Sequence, residues 1–101
     1  MNIKTGMGRG LELRAERSRQ KPTDWEVFVD QADPPQGGLP SVQCGVFRCH
    51  DGKGLMLHPS PREAVTALLR TDVNEDMFRS SVVKLLRQVC SWTDVELVHA
   101  L

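Results

Sequence analysis

The stretch Ser41–Glu63, SVQCGVFRCHDGKGLMLHPSPRE, is where strand-forming sequence gives way to helix-forming sequence. Two apolar runs, Val42–Cys49 and Leu55–His58, flank Asp51–Gly54 (DGKG), in which Asp-Gly supplies the positive-φ residues of a tight hairpin turn. Ser60–Glu63 (SPRE) then matches a capping box, with Ser at the N-cap, Pro at N1 and Glu at N3. The stretch therefore predicts a β-hairpin followed directly by a helix.

Two segments upstream of the hairpin alternate apolar and polar residues, as half-buried strands do. In Leu11–Arg17 the leucines and the alanine share one side and the charged residues share the other. In Trp25–Asp30 the tryptophan and both valines share one face, whereas Phe28 lies on the opposite face. The segment 32–40 between these strands and the hairpin contains three prolines and two glycines, which predicts an irregular loop.

The hairpin turn chemistry favours a register in which His50 faces Leu55. Strand alternation then predicts two sets of side chains. One face of the hairpin would display Val42, Cys44, Val46, Leu55 and Leu57, and the other would display Phe47, Cys49, Met56 and His58.

Two consecutive helices are predicted after the hairpin. The first carries Ala64, Val65, Leu68 and Leu69 at helical spacing and should end near residues 70–72. Residues 71–74 (TDVN) offer a new cap, and the second helix should run to about Ser91. Its apolar stripe comprises Phe78, Val82, Leu85, Leu86 and Val89. Residues 95–101 alternate again and could add a final strand.

These elements predict an α+β fold: a mainly antiparallel sheet of four or five short strands with two consecutive C-terminal helices packed on one face. Residues 11–101 would form one domain, preceded by a flexible, basic, Gly-containing tail over residues 1–10. The predicted core joins Leu68, Leu69, Phe78, Val82, Leu85, Leu86 and Val89 to Trp25, Val27, Val29, Val42, Val46, Leu55 and Leu57.

Composition excludes several classes of protein. The chain has 101 residues, of which 40% are hydrophobic, and no formal net charge, so it is too apolar and too neutral for general disorder. It is too short for a TIM barrel and has no apolar run near the roughly 20 residues that span a bilayer. Three cysteines and no apolar block in residues 1–20 predict a cytoplasmic protein without a secretory signal or a membrane partner.

Metal binding and catalysis are weakly indicated. Cys44, Cys49, His50 and His58 are close in sequence. However, residues 44 and 50 would lie roughly 20 Å apart along one strand, whereas zinc ligands converge within about 2.3 Å of the ion. The sequence accordingly predicts no catalytic residue, no metal ligand and no cofactor. A small zinc-binding protein stays as a third alternative.

A basic N-terminal arm is the one feature that favours nucleic acid. Residues 1–21 hold six basic and two acidic residues, a net charge of +4. Lys and Arg on such an arm can neutralise phosphates without sequence choice. The candidate contacts from Lys4 to Lys21 are Arg9, Arg14, Arg17, Arg19 and Lys21.

The preferred hypothesis is a non-enzymatic regulator, adaptor or inhibitor that binds another macromolecule, a protein before a nucleic acid. Two helices cover one face of the predicted sheet and leave the other uncovered. Phe28, Phe47 and Met56 are predicted to lie on that uncovered face, where they would bind a heterologous protein or form a homodimer. A nucleic-acid-binding protein using the basic arm is the alternative.

Overall fold

The computed structural model describes residues 2–50, 53–56 and 62–90. Its five strands form one antiparallel sheet in the order β1-β2-β3-β4-β5, and two helices follow. The elements are β1 (Asn2–Gly8), β2 (Leu11–Arg17), β3 (Asp24–Gln31), β4 (Ser41–His50), β5 (Lys53–Met56), α1 (Arg62–Leu69) and α2 (Glu75–Cys90). The predicted α+β class, with both helices C-terminal to the strands, is confirmed. The predicted strand at residues 95–101 lies outside the described residues.

The segment expected to be a tail forms the edge strand β1 instead. β1 pairs antiparallel with β2, and its Met7 is buried against the core. The reversal between the two strands uses three consecutive positive φ angles, 79° at Gly8, 57° at Arg9 and 75° at Gly10. Glycine adopts such angles without strain, so Gly8 and Gly10 belong to a tight turn rather than to a flexible tail.

Both helices cover the same face of the sheet. α2 packs chiefly against β1 and β2, and α1 packs against β4. The buried apolar residues form one cluster: Met7, Leu11, Leu13, Ala15, Trp25, Val27, Val29, Val42, Cys44, Phe47, Val65, Leu69, Val73, Phe78, Val82, Leu85 and Leu86. The prediction, from period-two alternation, of which side of β2 and β3 is buried is therefore confirmed.

A β-bulge in β4 makes the predicted side-chain faces wrong for the part of the strand that follows it. Val27 pairs with Gly45 and Phe28 pairs with Gln43, so Cys44 is the extra residue. The insertion reverses the alternation downstream, which turns Phe47 onto the covered face, where it is fully buried. Placing Phe47 on the uncovered face was wrong for this reason, as was placing Val46 in the core, since Val46 is only half-buried.

The β4–β5 hairpin has a tighter register than the turn residues predicted. His50 pairs with Lys53 and Phe47 pairs with Met56, which leaves two residues between the strands. Two-residue connections are the commonest in hairpins because their twist matches that of the strands. The predicted pairing of His50 with Leu55 is therefore wrong, while the antiparallel hairpin itself is confirmed.

Capping is described at the start of α2 and at the end of α1, whereas Ser60 and Pro61 of the predicted capping box lie outside the described residues. The Asn74 side chain accepts a hydrogen bond of 3.0 Å from the backbone N–H of Met77, as an N-cap residue does. Helix α1 ends at Leu69, and Arg70 follows with a left-handed φ of 55°. Leu68 points away from the core and is 49% exposed, so its predicted burial is wrong. The buried positions of α1 are Val65 and Leu69.

Candidate functional site: the open face of the sheet

The open face is the side of strands β1–β4 opposite the two helices. It is lined by the residues that alternate with the core positions: Lys4, Glu12, Arg14, Glu16, Asp24, Glu26, Phe28, Asp30, Gln43, Val46 and Arg48. Charged residues dominate this surface, in contrast to the apolar face expected from the sequence. The open face is therefore a polar surface built around one aromatic ring.

Arg14 lies at the centre of the open face and is held by several partners. Its Nε donates to Asp30 Oδ2 at 2.7 Å, and Nη2 donates to Asp30 Oδ1 at 3.2 Å and to Ser41 Oγ at 3.3 Å. Nη1 forms an ion pair with Glu16. The guanidinium carbon lies 4.4 Å from the ring centroid of Phe28, its cross-strand neighbour. Arg14 thus covers the aromatic ring that the sequence placed on an uncovered apolar surface.

This network shifts the titration of its members. The hydrogen bond to Asp30, together with the charges of Asp30 and Glu16, raises the pKa of Arg14 above its ordinary value. Burial alone would raise the pKa of Asp30, but hydrogen bonds from Arg14 and Ser41 outweigh burial and lower it. Both groups are therefore held in their charged forms.

A second ion pair closes the end of the open face. Arg48 Nε donates to Asp24 Oδ1 at 2.8 Å, and the Asp24 side chain is only 10% exposed. The hydrogen bond from Arg48 lowers the pKa of Asp24 despite its burial. At the same end, Arg17 lies 5.0 Å from the ring of Trp25, which stacks on Phe47 at 6.4 Å.

The open face carries more acidic than basic groups. Its three cations are Lys4, Arg14 and Arg48, and its five carboxylates are Glu12, Glu16, Asp24, Glu26 and Asp30. Glu16 and Glu26 are direct cross-strand neighbours, a like-charge arrangement that destabilises a sheet. Both line a surface depression of about 320 Å³, together with residues 17–20. The ion pair of Glu16 with Arg14 offsets part of this repulsion, and Arg17 and Arg19 line the same depression.

The three residues predicted to bind a partner do not form one surface. Phe28 lies on the open face, half-buried beneath Arg14, whereas Phe47 lies in the core on the other side of the sheet. Met56 pairs with Phe47 in β5, and its side chain lies outside the described part of the structure. The predicted set of partner-binding residues does not include the acidic residues around Phe28, although the alternation in β2 and β3 places those residues on this face.

The five residues predicted to contact nucleic acid are also separated. Arg9 lies in the β1–β2 turn, and Arg17 lies at the far end of β2, a strand about 20 Å long. Arg14, between them, is tied to Asp30. Arg19 and Lys21 are exposed in the connection after β2. The +4 charge of residues 1–21 therefore does not form one continuous basic patch in this fold.

The candidate metal and catalytic residues are described only in part. Burial raises the pKa of the Cys44 thiol to about 12, so this cysteine is a protonated, unreactive core residue at neutral pH. The side chains of Cys49 and His50, and all of His58, lie outside the described residues. Among residues 2–50, 53–56 and 62–90, no group of three His, Cys, Asp or Glu side chains is placed to hold a metal ion.

Comparison with known proteins found no matching family model, no similar curated protein and no similar solved structure. Neither helix of the described chain has the length and apolar character that a bilayer crossing requires.

Proposed function

We propose that this protein is a non-enzymatic regulator, adaptor or inhibitor that acts by binding another protein, and that the open face of the sheet is its binding surface. The observation that carries the proposal is the acidic charge of that face around the fixed Arg14–Phe28 pair. Such a surface is complementary to a basic protein surface, and electrostatic complementarity favours both selection of the partner and the association rate.

The geometry at the centre of the open face supports this proposal. Arginine and aromatic residues are enriched among the residues that contribute most to binding energy. Here Arg14 and Phe28 are already fixed by Asp30, Ser41 and each other, so little side-chain entropy would be lost on association. Glu26, which faces the like charge of Glu16 across the strands, would gain from a Lys or Arg side chain of the partner.

A cytoplasmic setting is part of the proposal. Cys44 is a buried free thiol, and such a residue is suited to a reducing compartment.

The test reverses charge on the open face and compares it with an equal reversal elsewhere. Glu12→Lys/Glu26→Lys changes the open face, whereas Glu63→Lys/Asp76→Lys makes the same charge change at exposed positions of α1 and α2. Lys at position 26 would face Glu16, so the fold should tolerate it. Partners would be captured from host extract with and without nuclease treatment and purified, and their Kd would be measured with each variant.

We expect the Kd of the open-face variant to rise at least tenfold, about 1.4 kcal/mol, while the helix variant binds like the wild type. Binding should also weaken with added salt. Equal binding by both variants would contradict the open face as the binding surface. Loss of every partner on nuclease treatment would favour the nucleic-acid alternative instead.

A further inference from the structure

A pocket of about 290 Å³ lies between the β1–β2 turn and the start of α2. Three apolar side chains line it: Met7 of β1, Leu11 of β2 and Met77 of α2. Met7 and Leu11 belong to the buried core, whereas Met77 is 48% exposed. Pockets that bind small molecules are concave, lined mainly by apolar side chains, and begin at about 300 Å³. This pocket therefore has room for a small ligand with an apolar group.

Two side chains of opposite charge line the same pocket. Arg9 extends from the β1–β2 turn, and Asp72 lies in the connection between α1 and α2. Neither side chain has a hydrogen-bond or ion-pair partner among the residues that the structure describes, so the two do not pair with each other. The pocket therefore complements a ligand that carries one negative and one positive group beside an apolar group.

The backbone at Arg9 favours a role for its side chain. Arg9 has a left-handed φ of 57° and lies between two glycines, Gly8 and Gly10. Glycine adopts this conformation without strain, whereas a residue with a side chain adopts it at a cost in free energy. Such strained residues are concentrated at ligand-binding and active sites. A third glycine would suit the turn better, so the turn geometry alone does not account for an arginine here.

We infer that this pocket binds a free α-amino acid with an aliphatic side chain, such as leucine. The ligand carboxylate would accept hydrogen bonds from the Arg9 guanidinium, whose planar pair of donors matches a carboxylate. The ligand ammonium would donate to the Asp72 carboxylate, and the aliphatic side chain would contact Met7, Leu11 and Met77. Methionine side chains are flexible and adapt to an apolar ligand. The pocket is separate from the open face, so the inference goes beyond the proposed function and does not depend on it.

Four small probes separate the features of the ligand. L-Leucine carries both charges and the side chain, L-leucinamide lacks the carboxylate, N-acetyl-L-leucine lacks the ammonium, and glycine lacks the side chain. Titration of the isotope-labelled full chain with each probe, followed by NMR, measures the Kd. We expect saturable shifts with L-leucine at residues around the pocket. The Kd of each other probe should be at least tenfold higher, because each loses a charge-assisted hydrogen bond or the apolar contact.

Variants of the two charged residues test whether the ligand occupies this pocket. Arg9→Gln and Asp72→Asn each remove one charge from it, whereas Arg19→Gln and Asp33→Asn make the same changes elsewhere. All four side chains are exposed, so the fold should tolerate the substitutions. Each pocket variant should raise the Kd for L-leucine at least tenfold, while the two control variants bind like the wild type.

Three outcomes would overturn the inference. The first is the absence of any saturable shift with L-leucine up to about 10 mM. The second is equal or tighter binding of L-leucinamide or N-acetyl-L-leucine, which would indicate a peptide terminus as the ligand. The third is binding of L-leucine by the pocket variants with the Kd of the control variants, which would place the ligand elsewhere on the molecule.

Discussion

Arg14 shows how the role of a single residue depends on its neighbours in the sheet. By sequence it belongs to a basic segment with a net charge of +4. In the structure its side chain is only 18% exposed, bonded to Asp30 and placed over Phe28. A guanidinium held by two carboxylates has little capacity left for a phosphate, so Arg14 serves the open face as a fixed part of its surface.

Gln31 has a comparable structural role on the covered side of the sheet. Its Nε2 donates to the carbonyl oxygens of Leu39 at 2.7 Å and Leu69 at 2.8 Å, and its Oε1 accepts from the Thr71 hydroxyl at 2.7 Å. One amide thus joins the end of β3 to the loop before β4 and to the end of α1. Gln31 is 8% exposed, so water cannot readily replace these bonds.

Removing the Gln31 amide should therefore be costly. We expect Gln31→Ala to lower the free energy of unfolding by about 1–3 kcal/mol, because two carbonyls and a hydroxyl lose their partner. Urea denaturation followed by circular dichroism measures the change. Gln20→Ala, at an exposed loop position, is the control and should stay within about 0.5 kcal/mol of the wild type. Equal stability of the two variants would contradict this role of Gln31.

At the scale of elements, the two helices differ in how firmly the core holds them. α2 buries Phe78, Val82, Leu85 and Leu86, whereas α1 buries only Val65 and Leu69. Leu68 lies beside Leu69 in sequence yet is about half exposed, because neighbouring helical residues point about 100° apart. Apolar character alone does not reveal which leucine of such a pair faces the sheet.

Two leucines provide a matched comparison of buried and exposed helical positions. Leu85→Ala should lower the free energy of unfolding by about 2–5 kcal/mol, because it removes a fully buried side chain and leaves a cavity. Leu68→Ala removes the same atoms from an exposed site and should cost less than about 1 kcal/mol. Both values follow from urea denaturation. A small cost at Leu85, or costs of equal size, would show that α2 does not face the sheet through this residue.

At the scale of the whole molecule, zero net charge conceals a segregation of charge. Acidic groups outnumber basic groups on the open face, while Arg19 and Lys21 extend from the connection after β2. Two aspartates of that face, Asp24 and Asp30, are bonded to arginines from other strands. The ion pairs join β2 to β3 and β3 to β4, so the same charges that define the surface also stabilise the sheet.

These two aspartates predict how stability depends on pH. Each has a pKa below its ordinary value of 3.8 in the folded chain. Each therefore contributes stability that is complete above that value and is lost as the pH falls through the lower folded-state pKa. Acidification from about pH 6 to pH 2.5 should reduce the free energy of unfolding less in Asp24→Asn/Asp30→Asn than in the wild type.

Urea denaturation at both pH values measures this dependence. Asp33→Asn, at an exposed loop position, is the control and should respond to acid like the wild type. If the double variant lost as much stability as the wild type on acidification, the two ion pairs would not be the source of the acid sensitivity.

Local patterns identified most of the elements but only part of the candidate surface. The alternation in β2 and β3, the turn chemistry before β5 and the cap at Asn74 all depend on residues close in sequence. The glycines near the start predict flexibility by composition, since their turn is recognisable only once β1 pairs with β2. Pairing of the charged residues across strands could not be predicted without the strand register.

Short-range patterns were sufficient to predict the α+β class and the buried sides of β2 and β3, because a period of two assigns faces as long as the strand is regular. Where that regularity ends depends on long-range strand pairing. The bulge at Cys44 depends on how β4 pairs with β3, and it moved Phe47 from the open face into the core. Likewise, Arg14 became part of an acidic surface because the pairing of β2 with β3 and of β3 with β4 brings Asp30 and Ser41, 16 and 27 residues away, beside it.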